Sequence, residues 1–136
     1  MSAYEDIAAA LVQKLYSIDS LPDVAWPNDG YTPTTGELYL AAHLLPAETT
    51  AAGIGKDAKN RAPGIWQVDV IAPLGSGRSG YLGWVDTICG QFKRGNSSTY
   101  NGITVWFRKA YHGPRMIEGA WCKVPVTIRF YAYIAN

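Results

Sequence analysis

Hydrophobic residues near the start of the chain recur at helical spacing. Ser2 followed by Glu5 forms a capping box, in which each side chain satisfies the other residue's free backbone N–H, so a helix is predicted to begin here. The helix covers residues 3–18 and ends before Leu21-Pro22, since proline disfavours helical geometry in the residue that precedes it. Its predicted buried stripe repeats at i, i+4, i+8 and i+11 and consists of Ile7, Leu11, Leu15 and Ile18.

Later segments alternate between apolar and polar positions, which is the pattern of a half-buried strand. The last segment is the clearest, because every second residue from Val124 to Ile134 is apolar. A glycine-rich stretch with three bases, residues 47–63, is longer than most connections and is predicted to be a mobile loop. The predicted strands cover about 37–45, 64–72, 103–109 and 124–134, and a second helix covers about 79–93.

The predicted order is therefore α-β-β-α-β-β. Consistent alternation gives each strand one wetter face, which favours a mostly antiparallel sheet with both helices packed on the apolar face. We predict an α+β protein, a two-layer sandwich, in which residues 1–136 form a single domain.

Composition excludes several classes of protein. The chain has 136 residues, 48% of them hydrophobic and 17% charged, which suits an ordered domain with a real core. A formal net charge of +1 argues against dependence on a polyanion. No apolar run reaches the length of a membrane span, and the acidic N-terminus is unlike a secretory signal. With only two cysteines, Cys89 and Cys122, the default expectation is a soluble protein of a reducing compartment.

Residues Gly75 to Gly80 match the dinucleotide-binding pattern G-x-G-x-x-G between a predicted strand and a predicted helix. The preceding strand carries Gln67 and Asp69, however, whereas a strand inside a parallel sheet is nearly all apolar. No acidic residue follows at the spacing that the ribose requires, and further β-α units are missing. The favoured interpretation is a flexible turn, with nucleotide binding kept as an alternative.

Other candidate chemistry is unsupported. Cys89 and His112 suggest a cysteine hydrolase, but Cys89 lies in the second half of its helix, where the dipole disfavours a thiolate. His43 and His112 have no partner at metal-ligand spacing, and no two carboxylates are placed by the sequence for acid–base work. We predict no catalytic residues, no cofactor and no metal site.

Surface-forming residues are more informative. Arg129, Tyr131 and Tyr133 lie on the outward face of the last strand, and Trp106 on the wetter face of its predicted neighbour. Tryptophan, tyrosine and arginine are enriched at protein–protein hot spots, so these four are candidate interface residues. The alternative is that other parts of the same chain cover them.

Charge is distributed unevenly along the chain. Residues 1–54 contain one base and seven acids, whereas residues 55–136 contain eleven bases and four acids. Regions of opposite sign allow head-to-tail pairing between copies, a heterologous contact that can close into a ring. The alternative is that the two regions interleave in the fold and cancel locally.

The order of motifs resembles that of small phage tail terminator proteins across nearly the whole chain. The resemblance begins with the N-terminal amphipathic helix and continues through Ala25-Trp26-Pro27-Asn28, Tyr31-Thr32-Pro33, Tyr39-Leu40, Leu45-Pro46-Ala47, Gly64-Ile65-Trp66-Gln67-Val68-Asp69-Val70, Pro73, Gly75, Gly77, Phe92, Trp121 and Val124-Pro125-Val126.

This resemblance implies a virion structural protein and not an enzyme. Members form a ring, typically of six subunits, that caps the finished tail tube, ends tube polymerisation and presents the head–neck attachment surface. The implied partners are further copies of the chain, the tail tube protein and a head–neck connector or stopper protein. No membrane or specific nucleic acid is expected, although DNA would pass through the ring lumen. The implied location is the head-proximal end of the virion tail, assembled in the host bacterial cytoplasm.

The long loop of such proteins often contacts the ring or the tube. We therefore expect Lys56, Lys59 and Arg61 to contact a neighbouring subunit or the tube. The candidate acidic partners of these bases are Glu5, Asp6 and Asp19. A different head–tail connector or neck subunit remains the alternative within the same class of protein.

Overall fold

The computed structural model describes residues 3–26, 37–75 and 78–135. Three parts of the sequence predictions lie outside the described residues, namely Ser2 of the capping box, the family motif residues within 27–36, and residues 76–77 of the glycine motif. The elements in chain order are α1 (Ala3–Tyr16), β1 (Val24–Ala25), β2 (Tyr39–Pro46), β3 (Thr50–Ala51), β4 (Asn60–Pro73), α2 (Arg78–Gln91), β5 (Ser97–Tyr100), β6 (Ile103–His112), β7 (Met116–Glu118) and β8 (Trp121–Ile134).

One mixed sheet contains the eight strands that the structure describes. Its order is β1-β2-β4-β8-β6-β5, with β3 also paired to β4 and β7 also paired to β8. β1 runs parallel to β2, whereas β4 and β8 form a long antiparallel ladder from the pair Asn60–Ile134 to the pair Pro73–Trp121. The α+β class is therefore confirmed. The predicted order is incomplete, because β1, β3, β5 and β7 are too short to produce a readable alternation.

The core lies on one face of this sheet. Cross-strand partners share a face, and pairs such as Trp66–Ile128 and Val68–Val126 are buried together. The apolar stripe of α1 packs against β5 and β6, and α2 contacts β4, β6 and β8. The buried residues of both helices and of this sheet face form a single hydrophobic cluster. Of the predicted helix stripe, Ile18 falls beyond the end of α1 and is half-buried.

Aromatic rings join the second helix to the sheet. The ring centroids of Phe92 and Trp66 are 5.5 Å apart, and those of Phe92 and Phe107 are 4.9 Å apart, both edge to face. Such pairs add stability beyond the area that they bury. This contact holds the end of α2, a helix that its three glycines weaken. Gly95, with a positive φ of 95°, lies in the turn between α2 and β5, where the Asn96 N–H donates a hydrogen bond of 3.1 Å to the Lys93 carbonyl.

Two sequence predictions need correction. The loop predicted over 47–63 is shorter, because β3 pairs with Asn60 and Arg61, and β4 already begins at Asn60. The second half of β4 has no wetter face, since Asp69 is only 3% exposed. The Gln67 amide donates a hydrogen bond of 2.9 Å to the Asp69 carboxylate, and His43 Nε2 lies 3.7 Å from it. Burial without such partners would be costly for a carboxylate.

Neither of the two described helices has the length and apolarity that a membrane span requires.

Candidate assembly surface

The face of the sheet opposite the core carries the candidate interface residues of β6 and β8. We call this the outer face; along β8 it includes Arg129, Tyr131 and Tyr133. Trp106 of β6 pairs with Tyr131, and Tyr133 pairs with Arg61 of β4. Trp106 is 40% exposed and Tyr133 is 42% exposed, which is high for large aromatic side chains. The structure therefore places Arg61, Trp106, Arg129, Tyr131 and Tyr133 on one surface.

Arg61 and the two tyrosines of β8 contact one another. The Arg61 guanidinium carbon lies 4.7 Å from the centroid of the Tyr131 ring, within cation–π range. The Tyr131 and Tyr133 rings meet edge to face, with their centroids 5.9 Å apart. Because these side chains restrain one another, less conformational entropy is lost when a partner binds them.

A β-bulge in β6 adds cations to this surface. The register against β8 shifts between Phe107 and Lys109, so that Arg108 is the extra residue. After the shift, Lys109 lies opposite Arg129 instead of alternating away from it. Tyr111 moderates the repulsion, because its ring centroid lies 5.4 Å from Lys109 Nζ and 6.0 Å from the Arg129 guanidinium carbon.

These residues line an open concavity of about 670 Å³. Its polar lining is basic, and of the described residues that form it none is acidic. A smaller concavity of about 380 Å³ adjoins it and shares three of its bases. The residues that line the larger one are Arg94, Gly95, Trp106, Phe107, Arg108, Lys109, Tyr111, Arg129 and Tyr131.

The sequence did not predict the contributions of Arg94, Arg108, Lys109 and Tyr111. Strict alternation would put Arg108 and Lys109 on opposite faces, and only the bulge brings Lys109 beside Arg129. The adjacent bases Arg108 and Lys109 interrupt the alternation of β6, and this was the available signal for a bulge.

Lys56 and Lys59 lie on a separate projection, the β3–β4 hairpin. Its base is closed by a backbone hydrogen bond of 3.0 Å from the Ala52 N–H to the Lys59 carbonyl. Both lysines are exposed, and Ile54 between the two glycines of the tip is fully exposed. Arg61, the third predicted base, already belongs to the sheet and faces Tyr131.

The three candidate acids lie on or just after α1, the helix that packs against β5 and β6. Glu5 and Asp19 are exposed. Asp6 is only 6% exposed and accepts a hydrogen bond of 3.2 Å from the Asn101 side chain at the β5–β6 turn. The Asp6 carboxylate is thus used within the chain to fasten the helix to that turn.

The structure describes no group of three or more metal-ligating side chains in residues 3–26, 37–75 and 78–135.

Burial, and then the charge of Asp86, raises the pKa of the Cys89 thiol, which is the opposite of what a nucleophile requires. His112 Nδ1 lies 3.2 Å from the carbonyl of Gly113. Gly75 has a positive φ of 88° at the turn between β4 and α2. These residues explain local structure and assemble no reacting pair.

Comparison with known proteins supports the sequence resemblance. The profile of the family described as phage tail terminator protein matches residues 6–130. A solved structure whose name is only a serial number superimposes with a TM-score of 0.76 and 25% identity, covering 97% of this chain and 96% of its own. No curated protein sequence matches the chain. The matched family consists of structural, non-catalytic components of the virion tail that associate with other tail components. The chain belongs to the phage tail terminator protein family.

Proposed function

We propose that the chain assembles into a six-membered ring on the head-proximal end of the tail tube. The ring ends tube polymerisation and offers the surface to which the head–neck connector or stopper protein attaches. The observation that carries the proposal is the outer face of the sheet, where exposed aromatic residues and arginines stand side by side. Monomeric surfaces seldom gather such residues, and interface cores are enriched in them.

Capping requires one surface that matches the tube end and another that faces the neck. The proposal uses a two-layer arrangement, in which both helices cover one face of the sheet and the outer face stays available to partners. The β3–β4 hairpin extends from the sheet with Lys56, Lys59 and the exposed Ile54, which suits contact with a neighbouring copy or with the tube. The acids Glu5 and Asp19 are the partners proposed for these bases across a subunit boundary.

The proposed action is binding alone, without a catalytic residue, cofactor or metal. Tube growth stops because the terminal subunits can no longer offer their assembly surface to the next tube subunit. DNA passes through the ring lumen without sequence-specific contacts, since the chain's net charge of +1 leaves little excess for a dedicated phosphate-binding surface. Assembly takes place in the bacterial cytoplasm, before the head joins.

The test is polymerisation of the tail tube protein from the same phage, followed by electron microscopy. With the purified chain present, tubes should stop lengthening and carry a ring of density at one end. The double variant Lys56→Glu/Lys59→Glu should lose capping. The control Lys14→Glu/Arg115→Glu reverses the same number of charges elsewhere on the surface and should retain it.

Two results would contradict the proposal. Unchanged tube growth at saturating wild-type chain would exclude capping, and if that chain still bound the connector protein, it would be a neck subunit instead. Full capping by the hairpin variant would show that the hairpin has no role at the tube.

A further inference from the structure

A cluster of exposed cations on the outer face has no acidic partner among the residues that the structure describes. Arg94, Arg108, Lys109 and Arg129 line the larger concavity, and none of them forms an ion pair in the described part of the chain. Four unpaired cations around one concavity repel one another. Tyr111 relieves part of this repulsion through its ring. A carboxylate supplied by another molecule would remove the rest of this repulsion. We call this group of cations beside β6 the basic edge.

Two acidic residues flank β2, which lies toward the other side of the sheet. Glu37 precedes β2 and Glu48 follows it, and both are exposed. In the strand order, β4 and β8 separate β2 from β6. Three strand spacings place the two backbones about 14 Å apart, which exceeds the Debye length of about 8 Å at physiological salt. Glu37 and Glu48 therefore do not pair directly with the bases of β6 within one copy.

Among the described residues, both regions also include a sheet edge that pairs with no further strand. β1 pairs with Leu40 and Ala41 alone, which leaves the rest of the outer edge of β2 without a ladder among the described residues. β5 pairs with residues 103–106 of β6, so the segment after the bulge has a ladder only on its β8 side in the described structure. Edges of this kind readily receive another chain.

We infer that the basic β6 edge of one copy receives the acidic β2 edge of the next copy. Glu37 or Glu48, which lie beyond opposite ends of β2, supplies the carboxylate that the concavity lacks, and the arginines there bind carboxylates through paired N–H groups. Each copy has one edge of each kind, so the contact is heterologous, which is the kind of contact that builds the proposed ring. The inference rests on the proposed ring and deepens it by naming the surfaces that meet.

A second copy fits these observations better than a nucleic acid does. The chain carries nearly as many acids as bases, with a net charge of +1, whereas a surface evolved for phosphates usually leaves a basic excess. The bases and acids also lie at opposite sides of one sheet, which is what repetition from copy to copy requires.

Zero-length cross-linking tests the contact directly. Labelled (nitrogen-15) and unlabelled chains are mixed and treated with a carbodiimide, which joins Lys109 Nζ to a carboxylate as an amide with loss of water. We expect peptide pairs between Lys109 and Glu37 or Glu48 that combine one labelled and one unlabelled chain. Lys109→Arg is the matched control, because it keeps the charge and the association but removes the reactive amine. The absence of mixed pairs up to a chain concentration of about 1 mM would overturn the inference.

Charge reversal tests whether the contact drives association. Arg108→Glu/Lys109→Glu and Glu37→Lys/Glu48→Lys should each weaken self-association on the order of 100-fold in sedimentation analysis. An equimolar mixture of the two variants should associate again, because each altered edge then meets its complement in an alternating ring. This recovery also shows that both variants are folded.

The inference would be overturned if either variant alone associated as strongly as the wild type, or if the mixture of the two variants did not associate. Binding of the basic edge to single-stranded DNA in place of a second copy would also overturn it. The proposed function has a separate test. It would fail if tubes continued to lengthen without a cap although the cross-links formed and the mixed variants associated as expected.

Discussion

Gly64 of β4 lies under the ring of Phe130 on the buried face, where the two residues are cross-strand partners. A Cβ at position 64 would stand 2.6 Å from Phe130 Cζ and 3.3 Å from the Leu45 carbonyl oxygen. Ordinary contact begins near 3.4 Å, so the ring must retreat by about 0.8 Å. The ring is held in a close-packed core, where Phe130 is 1% exposed and its partner on β6 is the buried Phe107. We therefore predict that Gly64→Ala is destabilising.

The magnitude follows from two opposing effects. Overpacking of a core costs about 1–3 kcal/mol, whereas replacing a strand glycine with alanine recovers about 0.5–1 kcal/mol of backbone entropy. The net loss should be about 1–2 kcal/mol, which for a domain of this size lowers the melting temperature by roughly 3–8 °C. Gly83→Ala is the matched control, because nothing lies within 4 Å of its Cβ and the site is an exposed helix interior. That control should gain about 0.5–1 kcal/mol.

Urea unfolding followed by tryptophan fluorescence measures both variants, at one fixed protein concentration because association shifts apparent stability. Phe130→Leu removes Cζ and should relieve the clash. The double variant Gly64→Ala/Phe130→Leu should lose at least about 0.5 kcal/mol less than the sum of the single losses. Additive losses, or a Gly64→Ala variant as stable as the wild type, would refute the role assigned to this close approach.

Two further predictions concern titrating groups. Because burial and Asp86 raise the pKa of Cys89, its alkylation by iodoacetamide at pH 8 should be slower in the folded chain than in urea, and Asp86→Asn should accelerate it; equal rates would contradict this. The raised pKa stabilises the fold below the ordinary cysteine pKa, and this contribution is lost as the pH rises through the higher folded value. Burial and then Glu118 raise the pKa of Tyr39, while Lys123 opposes them. The tyrosinate absorbance of Tyr39 is the difference between the titrations of the wild type and of Tyr39→Phe, and it should appear at higher pH than that of free tyrosine. Glu118→Gln should move this titration to lower pH. A titration that Glu118→Gln does not change would exclude that carboxylate as a cause.

The sequence located the long elements because each carries its own periodicity. The apolar stripe of α1 and the alternation of β8 are local patterns, and in both elements the residues at the apolar positions are the buried ones. Asp69 shows the limit of this reasoning, because a polar residue at an alternating position predicts a wet face. The structure buries Asp69 beside Gln67 and His43; alternation already puts Gln67 on the same face, whereas the approach of His43 depends on the pairing of β2 with β4, which no local pattern reveals.

The candidate surface was predicted only in part for a similar reason. Trp106, Arg129, Tyr131 and Tyr133 belong to long strands with clear faces, so their shared exposure follows from alternation. The role of Lys109 depends on the bulge at Arg108, whose register is fixed by pairing with β8. The short strands were missed because segments of two to four residues contain too few positions to define a period.

By itself, the sequence determined the two helices, the long strands, the family and the uneven distribution of charge along the chain. Only the tertiary structure decided where that charge lies in space. Strand order is set by pairing between distant segments, and it placed the acids flanking β2 at one side of the sheet and the bases of β6 at the other. Local periodicity encodes which side of an element is apolar and contains no information about which element lies beside it. For that reason the net charge of +1 does not reveal that the acids flanking β2 and the bases of β6 lie apart.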